Sequence, residues 1–300
     1  MIPNSIAVLN AKGGVGKTST SGNLAGLAAR AGLRTLLVDV DAQANLSRLL
    51  GYRRRVENDK GASLLKAVIT PDDLPVPLQT RPNLRVITAG PDHTTELEDI
   101  ITLRMGRDPD ALLGLDTAIR RLLLHEPHDL VIFDCPPAVN SRLAQAAAAA
   151  ANFIVMPTKS DDASLDGFET FALQYQQLKN TVNPDLTVLG AFIFGLEQRR
   201  TRRHADLRTQ LETGFEGTGI TLFNTYIRHA QQAAEECLKF AELAHEYGEN
   251  AHNRARDDSG NRREYSGSAV KLATDYYDLY NEVIAAVQQH NTQKTETANV

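Results

Sequence analysis

A chain of 300 residues, 42% apolar and 23% charged, has the size and balance of a globular α/β protein with a sizeable core. Its formal net charge of −5 excludes a general attraction to nucleic acid, so any polyanion contact must come from a local cluster of cations. Two distant cysteines, Cys135 and Cys237, exclude a disulfide framework or a CxxC metal site, and the start "MIPNSIAVLN" lacks the basic flank and apolar run of a secretion signal.

In chain order, short β-branched runs alternate with longer helical stretches. Strands are expected at 5–10, 35–41, 84–90, 130–135, 153–158, 187–196 and 220–226, and helices at 17–31, 111–125, 140–151, 162–180 and 201–213. Several strands are apolar throughout, as parallel strands covered on both faces must be. The pattern predicts a doubly wound, mostly parallel sheet with helices on both faces, in one domain over 1–290. Residues 51–83, polar with four prolines, read as a helix-containing excursion, and the charged, glycine-dotted stretch 246–267 reads as a mobile one. "AVKLATDYYDLYNEVIAAV" has the spacing of a last packed helix, and 291–300 reads as a disordered tail. The apolar runs are too short to span a bilayer, so a cytoplasmic protein is expected.

Chemistry concentrates first at "KGGVGKTS", residues 12–19, between a strand and a helix. Gly13, Gly14 and Gly16 let the backbone turn tightly and aim N–H groups, with those of Val15 and Ser19, at an anion. The helix opening at Lys17 adds its positive end. Lys17 would neutralise outer phosphates, and Thr18 would offer its hydroxyl to magnesium. The common pattern places glycine at position 11, where this chain has Ala11 followed by a second lysine, Lys12. Two carboxylate segments accompany the loop: "LLVDVDAQANL" ends a strand with Asp39 and Asp41, and "HDLVIFDCPP" ends one with Asp134. Carboxylates at the carboxyl ends of parallel strands lie where such sheets bind ligands.

The loop with its extra lysine, followed in order by these two segments, resembles the deviant Walker motif set of the ParA/MinD ATPase superfamily, specifically its short ParA/Soj class. That resemblance implies a P-loop fold, ATP and Mg2+ as cofactors, and an ATP hydrolase of slow basal rate. It makes Lys12 the cation that reaches across an ATP-dependent homodimer into the partner's nucleotide site. Asp41 would position the attacking water, Asp39 and Thr18 would serve the magnesium shell, and Asp134 would be the Walker B carboxylate. Ala42 stands where the family has proline. "FIFGLEQ" and "NTYIRHAQQAAEE" occupy the places that surround adenine in relatives, which nominates Pro157, Phe194 and Ile227 as pocket walls.

The rest of the chain bears on the choice within the superfamily. Four arginines, Arg199, Arg200, Arg202 and Arg203, crowd the start of an expected helix, where cations oppose the helix dipole. Selection for an outside phosphate explains them better than helix stability does, and Arg228 is expected to open another helix with the same role. Without interleaved aromatics the contact would be non-specific DNA backbone rather than bases. By likeness the protein is a nucleoid-associated partition ATPase whose dimer grips DNA and lets go on hydrolysis stimulated by a ParB-type centromere-binding protein. No membrane contact is expected, because the end "QQHNTQKTETANV" is nearly free of apolar residues. A MinD-type positioning ATPase and a tyrosine kinase-like P-loop protein, suggested by Tyr276, Tyr277 and Tyr280, stay open as alternatives.

Overall fold

The computed structural model describes residues 2–70, 72–137, 141–159, 163–197, 201–253 and 264–298. Its centre is an eight-stranded sheet, in chain order β1 Ser5–Val8, β2 Thr35–Asp39, β3 Leu78–Arg81, β4 Leu84–Ile87, β5 Leu130–Asp134, β6 Phe153–Thr158, β7 Thr187–Leu196 and β8 Leu222–Arg228. Across the sheet the order is β3-β4-β2-β5-β1-β6-β7-β8, and only β3 runs antiparallel. The expected doubly wound sheet is therefore present. β1 lies between β5 and β6, at the centre of the sheet.

Helices cover both faces. α1 Lys17–Arg30 and α2 Leu46–Leu49 lie on one face with α9 Gln231–Phe240, α10 Ala244–His252 and α11 Ala269–Ala298. α3 Ala62–Ile69, α4 Pro91–Met105, α5 Gly114–His125, α6 Arg142–Ala150, α7 Ala163–Thr181 and α8 Thr201–Phe215 lie on the other. Side-chain alternation along the strands sorts the core. Ile6, Val8, Leu37 and Ile132 face the α1 layer, while Ala7, Leu36, Val38 and Phe133 face the opposite one. That parity sends Asp39 and Asp134, each two residues beyond an α1-facing apolar residue, toward α1.

Three expectations change. The 51–83 excursion holds α3 as expected but also β3, which extends the sheet by one antiparallel strand. The segment 246–267, expected to be mobile, begins inside α10, where Tyr247 is fully buried and Glu246 takes the Leu243 N–H as a helix cap; 254–263 lie outside the described residues. The tail expected to be disordered continues α11 to Ala298. No glycine or proline interrupts it, the Asn291 amide donates to Asn4, and Lys294 pairs with Asp185. The stretch 91–105, for which the sequence suggested no element, is α4, with Pro91 in its first turn where a missing N–H costs nothing.

Candidate active site

The glycine-rich loop leaves the central strand β1 and is held by its own side chains. The Asn10 amide donates to the Pro157 carbonyl at 2.7 Å, tying the loop to β6, and Asn10 Oδ1 accepts the Lys12 N–H at 2.9 Å. Gly14 and Gly16 adopt φ of 70° and 82°, the left-handed region that disfavours any side chain. At Gly16 a Cβ would stand 2.1 Å from the Phe194 ring, so glycine is required there twice over. α1 then starts at Lys17. Lys17 is only 6% exposed, and its ammonium folds back to donate to the carbonyls of Lys12 at 2.8 Å and Asn10 at 3.2 Å. Burial lowers its pKa, against the pull of Cys135, Asp134 and Asp41. A desolvated cation held over a turn of inward backbone is suited to taking up an anion.

Two carboxylates complete the floor. Asp39 and Asp134 are cross-strand neighbours at the ends of β2 and β5, and both are fully buried. Asp134 Oδ1 lies 3.0 Å from the Ser21 hydroxyl of α1, and the Thr18 side chain is near enough to draw its pKa down. Asp39 Oδ1 accepts the Asp41 N–H at 3.1 Å. The Oδ2 atoms of both aspartates are buried and make no hydrogen bond. Burial pushes the Asp134 carboxyl up to about 7, and Asp39 rises well above the carboxylate range through burial and the Asp134 charge. Unmet buried oxygens are rare because each costs about 1–3 kcal/mol. Two such oxygens beside a threonine hydroxyl form a donor set that fits a hard, oxygen-seeking divalent cation. Asp41 lies beyond the strand end, where it accepts the Gln43 N–H at 2.9 Å and is raised by burial while Lys17 draws it down.

An open cleft of about 280 Å³ joins the loop to Asp41, lined by Gly14, Lys17, Thr18, Asp41, Gln43 and Arg48 among others; buried Asp39 and Asp134 do not reach its surface. The sequence reading missed Asn10, Ser21, Gln43, Arg48 and Tyr52. Asn10 and Ser21 flank the motif without belonging to its consensus. Tyr52 enters from the turn after α2, fully buried, with its hydroxyl near Asp39.

Other expected residues fall elsewhere. Val15 is buried, so its contribution to the loop is its backbone. Ser19 lines the cleft, and its side chain lies beside buried Tyr276 of α11. Phe194 stands over Gly16, whereas Ile227 is 1% exposed within the core and Pro157 is buried in β6. None of the three lines the cleft described above. Arg228 corrects the reading most clearly. It ends β8 rather than opening a helix, and Asp275 of α11 takes its Nε at 2.6 Å, its Nη2 at 2.5 Å and its backbone N–H at 2.9 Å. At 13% exposure for the arginine and 8% for the aspartate, this guanidinium is occupied and not presented to a phosphate. Arg199 and Arg200 lie outside the described residues, and Arg202 and Arg203 belong to the first turn of α8. Of the tyrosines, Tyr276 is buried, Tyr280 packs against the core, and Tyr277 is half exposed.

A family model described as an AAA domain matches residues 3–188. The chromosome-partitioning ATPase Soj of Thermus thermophilus is 32% identical over 232 residues, covering 77% of this chain and 83% of its own. The chromosome partitioning protein ParA of Myxococcus xanthus is 32% identical over 203 residues, covering 66% and 67%. Among solved structures, cobyrinic acid a,c-diamide synthase from Mycobacterium smegmatis with bound ADP and magnesium superposes with a TM-score of 0.66 at 23% identity, over 88% of this chain and all of that one. The cell division ATPase MinD of Pyrococcus furiosus gives 0.64 at 20% identity, over 95% and 99%. The two structures share the fold; the sequence matches, together with the loop and its paired strand-end carboxylates, place the chain more closely. It belongs to the AAA-domain family, in the Soj/ParA group of deviant Walker proteins.

Proposed function

We propose that this protein is an ATP-hydrolysing partition ATPase that works as an ATP-dependent homodimer on non-specific DNA. The observation that carries this reading is the pairing of Asp39 with Asp134, each with an open buried oxygen, directly beside Thr18 and Lys17 of a two-lysine glycine loop. The loop N–H groups and Lys17 hold the triphosphate. Thr18, Asp39 and Asp134 would hold Mg2+, which when bound would offset charge on the outer phosphates. Asp41 orients the attacking water at the strand end. Lys12 extends into the site of a second subunit, so that dimerisation depends on nucleotide and charge stabilisation is completed only in the closed pair. A slow basal rate follows, to be raised by a ParB-type partner.

The arginines at 199–203 contact backbone phosphates, and two copies of a modest patch on one rigid dimer bind far better than one. The expected location is the cytoplasm, on the nucleoid. Among the described residues no helix is long and apolar enough to cross a membrane. The decisive experiment is DNA binding measured with ATP, with ADP and without nucleotide over a salt series. Binding should require ATP, and log K should fall by about 0.9 per phosphate contacted for each tenfold rise in salt. Binding indifferent to nucleotide, or none, would sink the proposal.

A further inference from the structure

The α1-facing layer of the core holds a polar group that the chemistry above does not use. Tyr52 is fully buried in the α1-facing core, and its hydroxyl makes no hydrogen bond of normal geometry. It is nevertheless near enough to Asp39 for each group to act on the other, and Asp39 Oδ2 is itself unpartnered. A buried phenol ordinarily finds an acceptor, and a buried carboxylate oxygen a donor. Here the two unmet groups are neighbours.

The backbone around Tyr52 is firmly set. Gly51 takes a φ of 76° with a Cβ position 2.9 Å from Ala241, a turn that a side chain would spoil. The Arg53 N–H donates to Ser47 at 3.0 Å, and the Tyr52 carbonyl accepts the Arg55 N–H at 3.0 Å. The backbone that carries the ring is thus held on both sides of Tyr52.

We propose that Tyr52 is a positioning residue for the metal site, donating its hydroxyl to Asp39 Oδ2, directly or through one water. Asp39 Oδ1 is already held by the Asp41 N–H, so a second bond at Oδ2 fixes the plane of the carboxylate. Outer-shell donors of this kind change metal affinity by roughly 10–100-fold when removed. The inference rests on the Mg2+ site of the proposed function.

Tyr52→Phe tests it, because phenylalanine keeps the buried ring and removes only the oxygen. Mn2+ binding followed by electron paramagnetic resonance, and Mg2+ titration of the gain in nucleotide affinity, should both shift to weaker metal binding by at least about tenfold. Nucleotide affinity without metal and the thermal midpoint should hold, which separates positioning from packing. In an Asp39→Asn background the same change should cost nothing further, since both act through one carboxylate. Metal binding by Tyr52→Phe equal to that of the unaltered protein would overturn the inference while leaving the Mg2+ site in place. Absence of metal-dependent binding in the unaltered protein would remove both.

Discussion

Asp134 and Arg228 invite comparison because each is a charged residue at the carboxyl end of a parallel strand, removed from water. Asp134 ends the interior strand β5 with one oxygen bonded and the other open. Arg228 ends the edge strand β8 with its fork closed on Asp275. A buried charge whose bonds are complete belongs to the fold, whereas one with a bond left open is prepared for something the chain does not contain. The glycine loop sits in the second kind of surroundings, while Arg228 at the far edge of the sheet sits in the first.

The sharpest break in this contrast is Lys17→Ala, which should abolish nucleotide binding, a loss on the order of 100-fold or more for a buried charge that pairs with phosphate. Lys12→Ala should keep monomeric nucleotide binding and lose ATP-driven dimerisation, as read by light scattering. A fully active, dimerising Lys12→Ala protein would remove the cross-subunit role.

The arginines divide. Neutralising Arg199, Arg200, Arg202 and Arg203 together should weaken DNA binding equally across sequences and spare dimerisation. The slope of log K against log salt should shrink by up to about 3.6, at about 0.9 for each of four contacts. Arg228→Ala should leave DNA affinity within about twofold where the protein is folded. Its cost should appear in urea unfolding, as about 3 kcal/mol, because Asp275 would stay buried without its partner. A DNA-binding loss without a stability loss would reverse the assignment of Arg228.

This division also explains what could be read from the sequence. β1, β2, β5, β6 and β7 were legible because parallel strands covered on both faces must be apolar runs, and the loop was legible because its glycines answer to local backbone geometry. Asp39, Asp41 and Asp134 followed from their places at strand ends. Arg228 was not legible, since its partner lies 47 residues away on α11 and nothing at 228 announces it. Tyr52 was hidden in the same way: in a polar, proline-bearing stretch its neighbours are exposed arginines, yet its own ring joins the α1-facing core. β3 carried too little apolar pattern to read, being a short edge strand whose residues are half exposed.

A pH titration tests the open state of Asp134 itself. Its folded pKa of about 7 lies above the ordinary carboxylate value near 4, so the native protein binds this proton more tightly than the unfolded chain does. The stabilising proton is fully present below about pH 4 and is lost as pH climbs through about 7. Metal-free protein should therefore lose stability over that window, with a contribution from this site of at most about 1.4 kcal/mol per pH unit. A cation needs the ionised carboxylate, so saturating Mg2+ should flatten or invert the slope. Asp134→Asn, which cannot titrate, should lack the component, and the difference between the two proteins in urea unfolding with chelator isolates it from the other carboxylates. Equal slopes for both proteins would mean that Asp134 stays ionised without metal, and its buried oxygen would then need a partner from within the chain.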